Sequence, residues 1–460
     1  MPRPRLPLAL TAALLAGAGG ARAGEEGPAP IPPAPMSVRV SSDTYLRLFE
    51  RSPMPGPNGA VVSDTFAAPL YEYASLQVDN VDLPWEPASF DAELSAWGDV
   101  NLAPEEGIQR VDGDITVASI RHRYGWAFAQ LGRQIQAGGA ARMSRLDGLS
   151  LGFNAPFGLA ATAYGGWTVL PRWNERPGYH LLGSAADTIL RYPDALPEPR
   201  RDGTWMAGGR VSYSYLPYVN VGASFHEQRE NGDLSRRNIG LDVRAVPDPM
   251  VAITLKSIID ADEWSFTDAR LAADVYPVKD LSLAAELTHI EPSLFLSRES
   301  VLSVFSLDMF HELGGSVSYR AFDIWRIGAS GYADFFMGSE LGARLNLNSS
   351  IDLAQWVPIV LRGEYGWVAE PDNGYHSARL SVVYKPVEPV ALTAESFLYF
   401  YKSAINGVPL SAVGALSAEW TIAPGWAVLG SGSVARTPYA TLDLQALARL
   451  RINFDWEAQP

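Results

Sequence analysis

The last segment of the chain alternates strictly between apolar and polar residues. It runs from Leu442 to Trp456 and reads LDLQALARLRINFDW. Every second residue is apolar, and the residues between them are polar with the exception of Leu447. A period of two held over about fifteen residues predicts a β-strand with one apolar and one polar face. Strands of soluble sandwiches are usually about half as long, so this length is typical of a strand that crosses a membrane in a barrel.

Segments with the same alternation recur from Ser37 to the end of the chain. Counting them predicts about 22 strands; leaving out the weakest segments, Leu149–Asn154 and Glu312–Arg320, lowers the count to about 18 or 20. The first segment, Ser37–Phe49, is expected to pair with the last and so remove the edges of the sheet. The sequence therefore predicts an all-β fold: a single transmembrane antiparallel up-and-down β-barrel. The alternative is a large soluble β-protein such as a propeller, which has shorter strands.

The connections between these segments are of two kinds, which alternate along the chain. One kind is short and rich in Pro, Gly and Asp, such as Val246-Pro247-Asp248-Pro249. The other kind varies in length, and its longest examples are Pro171–Gly203 and Pro292–Phe310. Short turns at one rim and longer loops at the other are typical of outer-membrane barrels. Either long loop could fold into the barrel or cover its mouth.

The N-terminus has the pattern of an export signal. Arg3 and Arg5 precede an apolar stretch that ends in the cleavage pattern Ala21-Arg22-Ala23. We therefore expect a signal peptide at residues 1–23 and a Pro-rich periplasmic leader at 24–36. The leader is too short for a plug domain. The barrel is expected at residues 37–456, followed by a C-terminal tail at 457–460.

Composition excludes several classes of function. The formal charge is −15, and loss of Arg3, Arg5 and Arg22 with the signal peptide makes it about −18, which disfavours nucleic-acid binding. There is no cysteine, so thiol catalysis and cysteine-ligated metals are excluded. The 6 histidines are scattered, and no nucleophile-elbow, zinc-protease or Walker pattern occurs. We expect neither an enzyme nor a cofactor.

The polar face of each predicted strand is expected to line the lumen. Many of its side chains are charged, and they either stiffen a hydrated wall through cross-strand pairs or select solutes by charge. Three aromatic residues on one strand face could stack against sugars. The charged candidates are Arg244, Arg270, Glu286, Arg326, Arg344, Arg362, Glu364, Arg379, Glu395, Arg449 and Arg451, and the aromatic candidates are Phe397, Tyr399 and Tyr401.

One local string suggests a constriction. It begins Leu131-Gly132-Arg133-Gln134, continues with Gly138-Gly139, and ends Arg142-Met143-Ser144-Arg145-Leu146-Asp147-Gly148. Its glycines would allow a tight or inward-folded loop, and Arg133, Arg142, Arg145 and Asp147 would form a basic cluster at one rim. The alternative is an ordinary surface hairpin with a salt bridge. The string resembles a strand–loop–strand pattern of porin-like and alginate-export-like outer-membrane barrels, in which such a loop narrows the pore.

The closing strand, Leu442–Trp456, also carries a resemblance. It is similar to the C-terminal strand of bacterial outer-membrane barrels, which the barrel-assembly machinery recognises. The resemblance implies the bacterial outer membrane as the location, with membrane lipid and lipopolysaccharide as surroundings. The expected function is passage of small polar or charged solutes. The alternatives are a conduit for polysaccharide export and a non-conducting structural or adhesive barrel.

Overall fold

The alternating segments form strands that pair with their neighbours in chain order. In a computed structural model the described residues are 35–53, 65–82, 88–103, 111–169, 203–215, 218–291, 309–336, 341–369, 373–438 and 440–458. The predicted signal peptide, nearly all of the predicted leader, and almost the whole of both long loops lie outside these residues. Every pairing between strands is antiparallel.

The strands have the following bounds. They are β1 Ser37–Pro53, β2 Thr65–Ala67, β3 Pro69–Asp82, β4 Ala88–Asn101, β5 Val111–Tyr124, β6 Ala127–Ala137, β7 Met143–Asn154, β8 Leu159–Thr168, β9 Trp205–Tyr215, β10 Val219–Glu230, β11 Asp233–Asp248, β12 Val251–Asp260, β13 Ser265–Val278, β14 Leu281–Ile290, β15 Phe310–Ala321, β16 Trp325–Phe336, β17 Leu341–Asp352, β18 Ile359–Ala369, β19 Gly374–Val387, β20 Val390–Ile405, β21 Val408–Ala423, β22 Trp426–Arg436 and β23 Ala440–Glu457. A 3-10 helix, Gly139–Ala141, lies between β6 and β7. Among the described residues no helix is long and apolar enough to cross a membrane.

The sheet closes on itself through its first and last strands. β2 and β3 both pair with β1 and are separated only by Ala68, so they form one wall strand and the barrel has 22 strands. β1 pairs with β23 from Ser37 opposite Glu457 to Pro53 opposite Ala440. The predicted closed up-and-down barrel is therefore confirmed, as is the predicted pairing of its first and last strands. Closure removes the two free edges that an open sheet would have.

Both weakly alternating segments are strands of the wall. Leu149–Asn154 is the second half of β7, and Glu312–Arg320 lies within β15. In β15 the alternation is weak because Gly314, Gly315 and Ser316 interrupt it. Pairing with both neighbouring strands satisfies the backbone hydrogen bonds there, so the segment forms a strand although its side chains alternate only weakly.

The two faces of the wall differ in polarity. On β17, Leu341, Leu345 and Leu347 point outward and are exposed, while Arg344 and Asn346 alternate with them and point into the lumen. The same division holds along β23, where Leu442, Leu444, Phe454 and Trp456 are exposed on the outside. A continuous apolar outer surface is stable in a lipid bilayer and not in water. We call the rim with the short turns the turn rim and the opposite one the loop rim.

One carboxylate lies on the outer face away from both rims. Glu72 of β3 is paired with Thr44 of β1, and its neighbours along the outward face are Leu70 and Ala74. Its two oxygens accept hydrogen bonds from the hydroxyls of Ser42 (2.6 Å) and Thr44 (2.5 Å). These bonds satisfy a group that is costly to place against lipid. The alternation of polarity does not reveal this residue, because Glu72 occupies an apolar position of the pattern.

A charge placed in the apolar outer surface tests the assignment of the two faces. We expect Leu347→Arg to lower the free energy of unfolding in lipid vesicles by about 2–4 kcal/mol, since Leu347 lies near the middle of β17. The matched control is Asn346→Arg, which places the same side chain in the lumen and should change the stability by less than about 0.5 kcal/mol. Equal effects of the two substitutions would contradict the assignment.

Candidate functional site: a hairpin folded into the lumen

The hairpin of β6 and β7 leaves the barrel wall before its end. β6 pairs with β5 only as far as Arg133, although it pairs with β7 up to Ala137. β7 likewise pairs with β8 only from Leu146 onward. Residues 134–145, which we call the hairpin tip, are therefore not part of the strand pairing with β5 or β8. Gly132 stands at the bend with φ 117°, and a Cβ there would lie 2.2 Å from the carbonyl oxygen of Ala118, so no other residue fits.

The hairpin tip docks on the lumen side of β10 and β11. The backbone N–H of Ala140 donates to Oγ of Ser224 (2.8 Å), and Nδ2 of Asn238 donates to the carbonyl oxygen of Ala140 (3.5 Å). Ala140 and Asn238 are completely buried. A Cβ on Gly240 would lie 2.7 Å from the nitrogen of Ala140, so the absence of a side chain there allows the close approach.

Arg142 fastens the end of the hairpin tip to β13. Its guanidinium donates to Oγ1 of Thr267 (2.8 Å) and forms an ion pair with Asp268 (2.8 Å). The guanidinium of an arginine stays charged at neutral pH, so the ion pair persists there.

A second charged cluster joins the base of the hairpin tip to β5. Arg133 donates to both carboxylate oxygens of Asp147 (2.8 and 2.9 Å) and to Asp114 (3.1 Å). Arg145 also contacts Asp114, at 3.4 Å. Of the four residues of the predicted basic cluster, three lie together in the structure: Arg133, Arg145 and Asp147. The fourth, Arg142, contacts β13 instead. The sequence did not identify Asp114 or Asp268 as partners of these arginines, because nothing in their local pattern indicates which loop reaches them.

The side of the hairpin tip that faces the wall is apolar or hydrogen-bonded. Ala141 of the hairpin tip and the adjacent Leu146 are buried and pack with Tyr164 of β8 and Met206 of β9. The opposite side bears Ile135 and Met143, and the latter is 68% exposed. The hairpin tip therefore forms a second layer over β8 to β12, with its other face open to the lumen. Packed β-layers lie about 10 Å apart, so this layer narrows the lumen by about that amount on one side.

Other predicted lumen residues form ion pairs with adjacent strands or, in the case of Arg344 with Glu312, with the next strand but one. Each of these pairs lies on the inward face, as the alternation predicts. They are Arg270 with Glu286 (2.6 Å), Arg344 with Asp334 (3.1 Å) and Glu312, Arg379 with Glu395 (3.0 Å) and Glu364 (3.7 Å), and Asp43 with Arg449 (2.8 Å) and Arg451 (3.6 Å).

Three further predicted residues, Arg244, Arg326 and Arg362, face the lumen without an ion pair to another described residue. Arg326 lies directly opposite Arg320 of β15, which also has no ion pair in the described part of the chain. Across β17 the same row continues through Ser350 to Arg362. Like charges placed opposite each other destabilise a sheet, so this row near the turn rim costs stability, and no carboxylate among the described residues forms an ion pair with it.

The three predicted aromatic residues all face the lumen from β20. Phe397 lies beneath the guanidinium of Arg379, 4.7 Å from ring centre to Cζ, and Tyr399 contacts Tyr375 edge-on at 5.8 Å. The hydroxyls of Tyr401 and Ser411 are 2.8 Å apart. β20 is about half a turn of the barrel from the strands that the hairpin tip covers, so these rings border the part of the lumen that stays open.

A similar group that the sequence did not identify lies on β1 and β3. Tyr45 and Tyr73 are in edge contact at 5.6 Å, and Arg449 lies over the ring of Tyr45 at 4.8 Å. These strands lie about a third of a turn of the barrel from β10, on which the hairpin tip docks. An arginine guanidinium thus lies over an aromatic ring at two places in this part of the lumen wall, Arg379 over Phe397 and Arg449 over Tyr45.

Comparisons with known proteins give matches only at the level of structure. No family model matches the sequence, and no curated protein matches it. The structural matches include the outer membrane protein OpdK from Pseudomonas aeruginosa, with 8% identity, coverage of 91% of this chain and 99% of that chain, and a TM-score of 0.45. OccK9 (OpdG) from Pseudomonas aeruginosa gives 10% identity, 91% and 98% coverage, and a TM-score of 0.45. OccAB4 from Acinetobacter baumannii gives 9% identity, 91% and 98% coverage, and a TM-score of 0.43.

Proposed function

We propose that this chain is an outer-membrane channel that passes small polar or charged solutes. The observation that carries the proposal is the hairpin tip, which leaves the wall and forms a second layer within the lumen. A barrel that only anchored a surface structure would gain nothing from a charged, partly open lumen with a docked internal layer. A channel gains selectivity from a narrowed passage.

The row of Arg320, Arg326 and Arg362 favours anionic solutes. These arginines lie near the turn rim and have no carboxylate partner among the described residues, whereas most other charged lumen residues are paired. Unpaired guanidinium groups in a confined aqueous space raise the local concentration of anions. The repulsion between Arg320 and Arg326 would be relieved whenever an anion lies between them.

The remaining parts of the proposal concern location and partners. The apolar outer surface fits the lipid of the bacterial outer membrane, with lipopolysaccharide at the loop rim. Insertion would use the barrel-assembly machinery and follow removal of the predicted signal peptide. The chain would act as a passive channel rather than as an enzyme.

Conductance of the purified protein in planar bilayers tests the function. We expect stable single-channel steps and, across a salt gradient at about 0.1 M, a reversal potential of the sign given by anion preference. Absence of steps from folded protein would contradict the channel and favour a structural barrel. Block of the current by a polyanionic sugar chain, with no block by small anions, would favour a polysaccharide conduit instead.

A further inference from the structure

Two histidines face each other on the outer surface of the barrel close to the loop rim. His289 precedes the last residue of β14, and His311 is the second residue of β15. They are directly paired across the two strands. Each lies two residues from an exposed, outward leucine, Leu287 and Leu313, and so on the same face of its strand; both imidazoles therefore point away from the lumen.

The two rings approach each other through the same nitrogen. The Nδ1 atoms of His289 and His311 are 3.2 Å apart, and the ring centres are 4.8 Å apart. Two zinc-bound imidazole nitrogens, each about 2.0–2.1 Å from the metal in tetrahedral geometry, are about 3.3 Å apart. The strand pairing therefore places two potential ligand atoms at the separation that one metal ion requires.

A backbone carbonyl sets the tautomer of His289. Nε2 of this residue lies 3.1 Å from the carbonyl oxygen of Phe266. A carbonyl can only accept, so Nε2 carries the proton and Nδ1 of neutral His289 carries the lone pair. Metal-binding histidines are commonly oriented by such a bond from their other nitrogen. Without a metal, His311 would donate its Nδ1 proton to His289; with one, its proton would reside on Nε2.

We propose that His289 and His311 form a binding site for a divalent transition-metal ion on the outer surface of the barrel. Imidazole pairs suit Zn²⁺, Ni²⁺ and Cu²⁺, and Cu²⁺ binds most tightly in this series. No group of three or more His, Cys, Asp or Glu suited to a metal occurs in the described part of the chain, so the described residues supply two ligands. Water at the loop rim completes the coordination.

The surroundings hold the pair in place and keep it accessible. Phe266 contacts the ring of His289 edge-on at 6.3 Å, and Phe335 is paired with His311 on the other side. Both phenylalanines are partly exposed on the outer face. The imidazole pair therefore lies within an aromatic belt at the boundary between membrane and water, where a hydrated ion can reach it.

Titration of the full chain with Cu²⁺, without a polyhistidine tag and in detergent micelles, tests the site. We expect one tightly bound ion per chain whose electron paramagnetic resonance spectrum shows coupling to two imidazole nitrogens. His289→Ala and His311→Ala should each weaken binding about 10–100-fold and remove one of the two couplings. Calorimetric titration with Ni²⁺ and Zn²⁺ should show the same dependence on both residues.

His376→Ala is the matched control, because His376 also faces outward but its Nδ1 contacts the hydroxyl of Tyr365 (2.7 Å) and no second histidine. It should bind Cu²⁺ like the unaltered chain. Circular dichroism and the mobility of unheated protein on gels verify that each variant is folded. Unaltered Cu²⁺ affinity in both folded variants of the pair, or no binding to the unaltered chain, would overturn the proposal and leave the channel function untouched.

Discussion

Removing the hairpin tip should raise the single-channel conductance about twofold or more, because the tip forms an extra layer inside the lumen. The variant replaces residues 135–145 with Asn-Gly. These two residues then connect Gln134 directly to its cross-strand partner Leu146 as a tight hairpin turn. Arg133 keeps its ion pair with Asp147, so the wall below the cut is preserved. The measurement is conductance in planar bilayers at fixed salt.

A substitution beneath the hairpin tip provides an independent test of the same idea. Gly240→Leu would place a side chain where the tip docks, since even a Cβ there lies 2.5 Å from Oγ of Ser224. We expect a displaced tip and a higher or fluctuating conductance. Gly363→Leu is the control, because a Cβ at Gly363 meets no atom within 4 Å. Unchanged conductance in both the deletion and Gly240→Leu would show that the tip does not limit the current.

Reversing the charge of the arginine row should change the selectivity from anions to cations. In the double variant Arg320→Glu with Arg326→Glu, two adjacent positive charges facing the lumen become negative. A unit charge at 4 Å in water contributes about 1 kcal/mol, so we expect the anion-to-cation permeability ratio to fall at least about tenfold. The measurement is the reversal potential across a gradient at about 0.1 M salt, since higher salt screens the effect.

A charge-neutral control distinguishes the effect of the arginine row on selectivity from the effect of other lumen charges. Arg270→Gln combined with Glu286→Gln removes a lumen ion pair without changing the net charge. We expect its reversal potential to match that of the unaltered protein. If the double variant Arg320→Glu with Arg326→Glu also left the reversal potential unchanged, other residues would set the selectivity, and the proposed role of the arginine row in anion preference would be wrong.

The barrel itself follows from the sequence because its signal is repeated. Each strand must present apolar side chains to lipid and polar ones to the lumen, so a period of two recurs in nearly every segment. For this reason both the number of strands and the pairing of Ser37–Phe49 with Leu442–Trp456 could be predicted. The faces of Arg344 and of Tyr399 followed from the same alternation. Glu72 is an exception to the alternation: it is charged and faces outward, where the hydroxyls of Ser42 and Thr44 satisfy the hydrogen bonds of its carboxylate.

The sequence also suggested that the hairpin at residues 131–148 could fold inward, since its glycines permit a tight loop, and it left an ordinary surface hairpin as the alternative. Its destination could not be predicted. Asp114, Ser224, Asn238 and Asp268 hold the hairpin tip, yet they lie on β5, β10, β11 and β13, far from it in the chain. Which of many polar lumen residues meets a given loop depends on strand tilt and on the curvature of the closed wall.

The sequence by itself determined the kind of molecule: a closed antiparallel barrel with an apolar exterior and a charged interior, because every strand carries that requirement locally. Only the tertiary structure decided which residues act together. It brought Arg133 and Arg145 to Asp114, placed Arg320 opposite Arg326, and set the Nδ1 atoms of His289 and His311 3.2 Å apart. These contacts depend on register between strands and on a hairpin folded against the inner wall, and neither leaves a periodic signal along the chain.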